Sequence, residues 1–298
     1  MSSDRRAVCD YEGSPYRTQF WETADRAYED QVERIALRRL LPAGGARALE
    51  VGAGFGRLTG ELRGFGQVVL LDYSRTMLQE ARQRLGDDPR YRYVAADVYR
   101  LPFAPGVFDA ATMIRVIHHM ADAPAALRQI RQTLVGGSAF VLEFANKRNI
   151  KSIGRYLLRR QSWNPFSHEP VEFVALNFDF HPSYMRRALH ESGFAVQRQL
   201  TVSHFRMGLL KRLVPTGLLV RLDGVAQLTG DWWQLTPSVF VRAQAAGEPT
   251  PLREALFKCP ECGCLEVEET TEAVNCPGCG RRYPVREGIV DFRQPGLS

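Results

Sequence analysis

The hydrophobic pattern switches repeatedly between helical and extended spacing. Over residues 31–41 apolar side chains fall at Val32, Ile35, Ala36 and Leu40, a helical spacing that ends at Pro42 and the Gly44-Gly45 turn. Residues 46–51 form a short, mostly apolar run into Gly52, and residues 67–71 form another, so this stretch reads as strand, glycine turn, helix, strand. Further strands are predicted at 91–95, 108–114 and 138–144, separated by helix-like stretches such as 76–85 and 123–134. Regular alternation of this kind predicts an α/β fold, a parallel sheet with helices on both faces.

Beyond Asn146 the pattern loosens, then resumes with a helix at 182–192 and a strand at 195–201. Residues 207–228 are apolar but interrupted by Pro215, Lys211, Arg212 and Arg221, and read as one or two lid helices before a last strand at 238–243. Residues 245–251, rich in Gly, Pro, Thr and Ala, mark a linker. The expected organisation is a helical cap (1–45), a large α/β domain (46–245) with a lid insertion near 202–235, a linker (246–256) and a small terminal module (257–298).

Chemistry enters at the first turn. Glu50, Gly52, Ala53, Gly54 and Gly56 stand between a predicted strand and a helix, where glycine lets the backbone bend sharply and approach a ligand that a Cβ would exclude. Asp72 ends the second strand, where a carboxylate can accept both hydroxyls of a ribose. Such a turn serves NAD, FAD and S-adenosylmethionine alike. The spacing G-x-G-x-G after an acid fits a ligand carrying an ammonium better than a diphosphate, which wants helix N–H groups.

With these residues in place the chain resembles class I S-adenosylmethionine-dependent methyltransferases at four successive places. They are LEVGAGFGRLT (49–59), LDYSRTML (71–78), AADVYRLPF (95–103) and FDAATMIRVIHHM (108–120), the last followed by LRQIRQTLVGGSAFVLEF. The similarity covers roughly 31–145 and is closest to the branch of quinone-biosynthesis and wobble-uridine tRNA methyltransferases. It implies a Rossmann-like sheet with Glu50, Gly52, Ala53 and Gly54 at the methionine part of the cofactor. Asp72 and Tyr73 would lie at the ribose, Asp97 and Val98 at the adenine, and Arg115 toward the sulfonium. Asp97 has a second reading, as the cap of the turn after it, and Arg115 as the partner of an acid.

The acceptor is less constrained. Positioning dominates methyl transfer, and a base is needed only for acceptors such as phenols or acidic carbons. His119 and His181 are candidates for that base, with Asp179 an orienting partner of His181; packing of His118 and His119, and helix capping by His181, are the alternatives. The Asn/Asp-Pro-Pro-aromatic motif of relatives that methylate amines is replaced by Ile114-Arg115-Val116-Ile117, which argues against that chemistry. Tyr16, Phe20, Trp21 and the 207–228 segment read either as a lid over a flat or greasy acceptor or as core of a helical cap. A small aromatic or lipophilic acceptor, methylated at oxygen or carbon, is the first reading. An RNA acceptor is the second, and a protein that binds S-adenosylmethionine without turnover the third.

Near the end, Cys259, Cys262, Cys276 and Cys279 form C-x2-C-x13-C-x2-C, a spacing suited to one structural zinc, with Cys264 the rival ligand and Cys9 an unrelated thiol. Four sulfurs leave no open position for catalysis, and so small a module needs metal to fold. Residues 256–293, with Arg281-Arg282-Tyr283-Pro284-Val285-Arg286-Glu287-Gly288-Ile289-Val290, resemble the small zinc-binding activator subunit of tRNA, rRNA and release-factor methyltransferases. That resemblance implies a module docked in cis, covering apolar surface or adding a strand to the sheet edge. The inserted helical region that two-chain versions often carry between the cysteine pairs is missing here, and a plain nucleic-acid-binding ribbon is the competing reading.

Composition changes little. A net charge of +6 invites nucleic acid, but only Lys147, Lys151, Lys211 and Lys258 are lysines and the arginines are spread along the chain. Compositional bias or solvated faces explain that as well as a polyanion surface does. No signal-peptide pattern and no run of about 18 apolar residues is present, so a cytoplasmic protein without stable membrane insertion is expected.

Overall fold

The structure is a computed structural model and describes residues 12–13, 26–293 and 296–297. Tyr16, Phe20, Trp21 and Cys9 lie outside the described residues. Helix α1 (Ala27–Leu40) leads into β1 (Gly45–Val51), a short 3-10 turn (Thr59–Leu62), β2 (Phe65–Asp72), α2 (Arg75–Leu85), β3 (Tyr91–Ala95) and β4 (Phe108–Met113). Then come α3 (Ala123–Thr133), β5 (Leu134–Ala145), α4 (Ile150–Leu157), a hairpin of β6 (Val171–Val174) and β7 (Asn177–Asp179), α5 (Pro182–Glu191) and β8 (Phe194–Val202). Helices α6 (Gly208–Leu213) and α7 (Thr216–Ala226) precede β9 (Ser238–Ala245). The tail supplies β10 (Glu268–Glu269), β11 (Ala273–Asn275), β12 (Arg281–Arg286), β13 (Ile289–Asp291) and β14 (Gly296–Leu297).

Strands β3, β2, β1, β4 and β5 lie parallel in that order. Their residues are buried on both faces, which is why they read as nearly continuous apolar runs. Alternate side chains enter different cores: Leu49, Val51, Val69 and Leu71 face α3 and α5, while Ala48, Val68 and Leu70 face α2. Helices α1 and α7 cover the same side farther along, over Val141, Leu200 and Phe240. The Rossmann-like α/β sheet with helices on both faces is thus present.

One edge departs from the sequence expectation of a parallel sheet, and the other gains the strand that the terminal module's resemblance implied. At the first edge β9 runs antiparallel to both β5 and β8, because the segment 203–237 returns to the sheet end it left, whereas 146–193 crosses to the opposite end and leaves β8 parallel to β5. At the other edge β13 pairs in parallel with β3, Ile289 opposite Tyr93 and Asp291 opposite Ala95, so the terminal module extends the sheet. Phe257, Tyr283 and Phe292 of that module join the core of Phe103 and Phe108, with Phe103–Phe257 centroids 6.0 Å apart and Phe257–Phe292 5.2 Å. Residues expected as a linker are anchored as well: Arg253 N donates to Gly106 O (3.1 Å) and Ala104 N to Leu256 O (3.0 Å). Among the described residues no helix is long and apolar enough to cross a membrane.

Candidate cofactor and metal sites

A cavity opens at the C-terminal ends of β1, β2 and β4, where ligands of open α/β sheets gather. Its wall includes Glu50, Gly52, Ala53, Gly54, Asp72, Tyr73, Val98, Arg115 and His119. Gly52 has φ +68°, and a Cβ there would come within 2.1 Å of Val116 Cγ2. Gly54 has φ +53° with nothing within 4 Å of a Cβ position. The first glycine allows the chain to pass under β4; the second keeps the bend open to a ligand.

Four amides of this bend are matched within the protein. Gly52 N and Ala53 N both donate to Leu71 O (2.8 and 3.0 Å), and Gly56 N donates to Ala53 O (3.0 Å). Gly54 N donates to Asp72 Oδ2 (2.8 Å), while Ser74 N donates to Asp72 Oδ1 (2.9 Å). The bend runs on into the four-residue 3-10 turn, not into an α-helix. The bend therefore lacks the α-helix dipole that helps to cradle a diphosphate. Its strongest groups are carboxylates, which fit a ligand with an ammonium and a diol. Glu50 is buried beneath the bend and accepts from Thr59 Oγ1 (2.6 Å); burial pushes its pKa up to about 7.

Asp97 caps the turn after β3 by accepting from Tyr99 N (2.8 Å); its neighbours Ala96 and Val98 line the cavity. Gly56, with φ +73°, supports the bend against Ala81 and Leu85 instead of lining the cavity. Arg115 lines it with φ +60°, and its backbone N donates to Glu143 Oε2 (2.9 Å). Its guanidinium is committed to Glu33 of α1, with Nε to Oε1 at 2.8 Å. Burial acts to raise the Glu33 pKa, but Arg115 and Arg57 outweigh it and hold the carboxyl below its usual value. Arg115 thus buttresses the wall and locks α1 over it.

The two candidate bases part company. His119 lies in the cavity wall, and its Nδ1 is 3.0 Å from Leu176 O. A carbonyl only accepts, so Nδ1 carries the proton and Nε2 is the basic nitrogen. Burial lowers its pKa and keeps the ring neutral. His181 does not join it: the structure corrects that expectation. Its Nδ1 accepts from Ser183 N (3.1 Å) as the cap of α5, its ring lies on His168 (4.6 Å), and burial lowers its pKa to about 4. Asp179 makes no bond to it and sits in a separate hollow with Arg155 and Trp163.

Sequence reasoning missed Glu33, Arg57, Thr59 and Glu143. The signal for Glu33 was present: with Ala36, Leu37 and Leu40 it falls on the helix stripe that is buried, where an acid needs a partner.

In the tail, one sulfur from each of Cys259, Cys262, Cys276 and Cys279 lies within 4.8 Å of the others. The closest pairs, 259–279 and 262–276, are 3.6 and 3.5 Å apart, against about 3.8 Å for the edge of a zinc–thiolate tetrahedron. The residues fit zinc, and Tyr283 OH lies 3.3 Å from Cys259 Sγ as an outer support. Cys264 stays outside the cluster; its carbonyl receives Cys259 N (2.8 Å).

Comparison with known proteins defines the class. Residues 49–142 match the family described as "Methyltransferase domain", and this segment is such a domain. The chain is 34% identical over 119 residues to a demethylmenaquinone methyltransferase of Clavibacter sepedonicus, covering 39% of this chain and 49% of that protein. It is 36% identical over 126 residues to the O-methyltransferase cnsE of Penicillium expansum, covering 41% and 45%. The chain thus spans about half the length of the curated relatives it matches. A chain of the Haloferax volcanii complex between the Trm112 methyltransferase activator and a methyltransferase shares the fold, with TM-score 0.54 and 17% identity over 78% of this chain and 92% of that one.

Proposed function

We propose that this protein transfers a methyl group from S-adenosylmethionine to oxygen or carbon of a small aromatic or lipophilic acceptor. The observation that carries the reading is the glycine bend over a cavity whose wall carries two carboxylates, Glu50 and Asp72, the latter accepting from Gly54 N. Glu50 with the Gly52–Gly54 backbone faces the methionine end, Asp72 and Tyr73 the ribose, and Val98, fixed by the Asp97 cap, the adenine. When bound, the cofactor supplies a methyl group on a sulfonium that leaves as a neutral thioether.

The chain's own part is positioning, which can be worth about 7–11 kcal/mol. Arg115, neutralised by Glu33, shapes the wall without placing a free cation beside the sulfonium. His119 Nε2 takes the proton released by a phenol or an acidic carbon as the new bond to methyl forms. Similarity to a demethylmenaquinone methyltransferase and an O-methyltransferase supports such acceptors. In this reading the terminal zinc ribbon acts in cis, as an added edge strand.

The test is incubation with methyl-labelled cofactor and fractionated cell extract. Label in organic-soluble material is expected, and His119→Asn should slow transfer about a hundredfold or more with little change in cofactor affinity. Label that enters RNA and vanishes after RNase treatment would replace this reading with the RNA one. Tight binding of S-adenosylhomocysteine with no transfer to any fraction would make the protein a binder.

A further inference from the structure

Among the described residues, every exposed large hydrophobic side chain except Leu265 lies between Ile150 and Trp233. The pattern is organised. On α4 the usual burial is inverted: Ser152 is buried, whereas Ile150 and Leu157, seven residues apart on one stripe, are 68% and 69% exposed. On α7, Leu218, Leu222 and Val225 point outward at i, i+4 and i+7, opposite the packed Leu219, Val220 and Asp223. Trp232, 80% exposed, and Trp233 follow. A helix of a globular domain turns its apolar stripe inward and a polar face outward; one helix that inverts this and one that is apolar on both faces, beside two exposed tryptophans, mark a surface with an occupant.

These pieces belong to one region. Ile150 N donates to Leu235 O (2.9 Å), which ties the start of α4 to the segment just after the tryptophans. Ala145 at the end of β5 and Val202 at the end of β8 both pair with Ser238. Both insertions therefore leave the sheet at the end where the cofactor cavity opens.

Charge identifies the occupant. Lys151, Arg155, Arg159, Arg160, Arg212 and Arg221 are exposed and interleave in sequence with the exposed apolar residues, and residues 146–166 contain no Asp or Glu. Of the two acids of 203–233, Asp223 is buried and Asp231, exposed, accepts from Gln199 N, so the basic side chains remain in excess. We propose that this face docks on the surface of an anionic lipid bilayer. The leucine, isoleucine and tryptophan side chains enter the boundary between headgroups and acyl chains, and the basic side chains rest on lipid phosphates. Tryptophan favours that depth because its ring is apolar and its N–H is not. Docking turns the cavity mouth toward the bilayer. The proposal rests on the surface alone and stands or falls independently of methyl transfer.

The experiment is flotation of the full zinc-loaded chain with phosphatidylcholine vesicles and with vesicles of equal parts phosphatidylcholine and phosphatidylglycerol. The protein is expected to float with the mixed vesicles and to stay behind with the neutral ones, its tryptophan emission shifting to shorter wavelength on binding. Trp232→Ser with Trp233→Ser should reduce partitioning by about tenfold or more, and Lys151→Glu with Arg159→Glu by at least about fivefold per charge. All four residues are exposed, so circular dichroism and melting temperature should not change. Absence of vesicle binding, or binding that survives loss of both tryptophans, overturns the proposal. So does concentration-dependent dimerisation, abolished by the tryptophan variant, in a chain that ignores vesicles; that outcome assigns the face to a second copy.

Discussion

Glu50 shows how one residue's burial becomes a measurable property of the site. In the free protein burial raises its pKa to about 7, so near neutrality the carboxyl is divided between its two forms. An ammonium placed beside it favours the carboxylate. Binding should then release a proton, and affinity should rise as pH climbs toward about 7 and level off above it, whereas a carboxylate with a lowered pKa would leave affinity flat in that range. Calorimetry at pH 7 in buffers of different ionisation enthalpy checks this: the observed heat must vary with buffer, and Glu50→Gln must remove the variation. Asp72 acts differently, because its two oxygens brace the bend from Gly54 and Ser74. Asp72→Ala should raise the cofactor dissociation constant about 10- to 100-fold through loss of the ribose contact and of that brace. Unchanged calorimetric binding would refute the placement of the ribose.

At the scale of elements, the unexpected connection is between the ribbon and the adenosine side of the cavity. Phe292 N, one residue past β13, donates to Ala95 O (2.8 Å), and Arg293 Nη1 donates to Tyr73 O (2.9 Å) while its guanidinium lies over the Tyr73 ring (5.7 Å). Asp291 holds that guanidinium through two further bonds, at 2.9 and 3.0 Å. Arg293→Ala should therefore weaken cofactor binding by a few-fold, about tenfold at most, with zinc content unchanged. Arg282→Ala, on the ribbon but away from this contact, is the control and should leave affinity as it was.

The sequence made the central elements legible because each obeys a local rule. Residues 91–95 run from a half-buried start into a buried apolar end as a strand entering the core, and Ser74 and Asp122 cap α2 and α3 with their own side chains. Pairing of Ile289 with Tyr93 obeys no local rule, since it joins positions far apart in the chain. Helix α4 escaped because its apolar residues face outward, so its stripe marks no core. Of the cavity wall, Gly52, Gly54, Asp72 and His119 were readable from their places just after predicted strands. The capping use of His181 depends on the geometry of Pro182 and Ser183, which the pattern leaves open, and the commitment of Arg115 to Glu33 needs α1 to be seen against β4.

For the whole molecule the question is whether the ribbon melts with the sheet or apart from it. A line of contacts runs from the sulfurs inward: Cys259 Sγ to Tyr283 OH (3.3 Å), Tyr283 to Phe292 (4.7 Å), Phe292 to Phe257 (5.2 Å), Phe257 to Phe103 (6.0 Å), and Phe103 edge-on to Phe108 of β4 (5.0 Å). Strand β13 also covers the edge of β3, which would otherwise expose unpaired N–H and C=O groups beside Tyr93 and Val94. With zinc on the four thiolates, as we propose, its removal would untie a ligation that contributes to folding, and the loss has no boundary at which to stop. A strong chelator under reducing conditions should therefore lower the melting temperature of the entire chain by about 10 °C or more, in one transition. The chelated protein should also aggregate as the β3 edge opens. Cys276→Ser should do the same without chelator and lose its zinc. Two separate transitions, with the sheet melting where it did before, would show that the ribbon is an appendage and that the aromatic line carries no cooperativity; one shifted transition makes metal, ribbon and cofactor cavity a single folding unit.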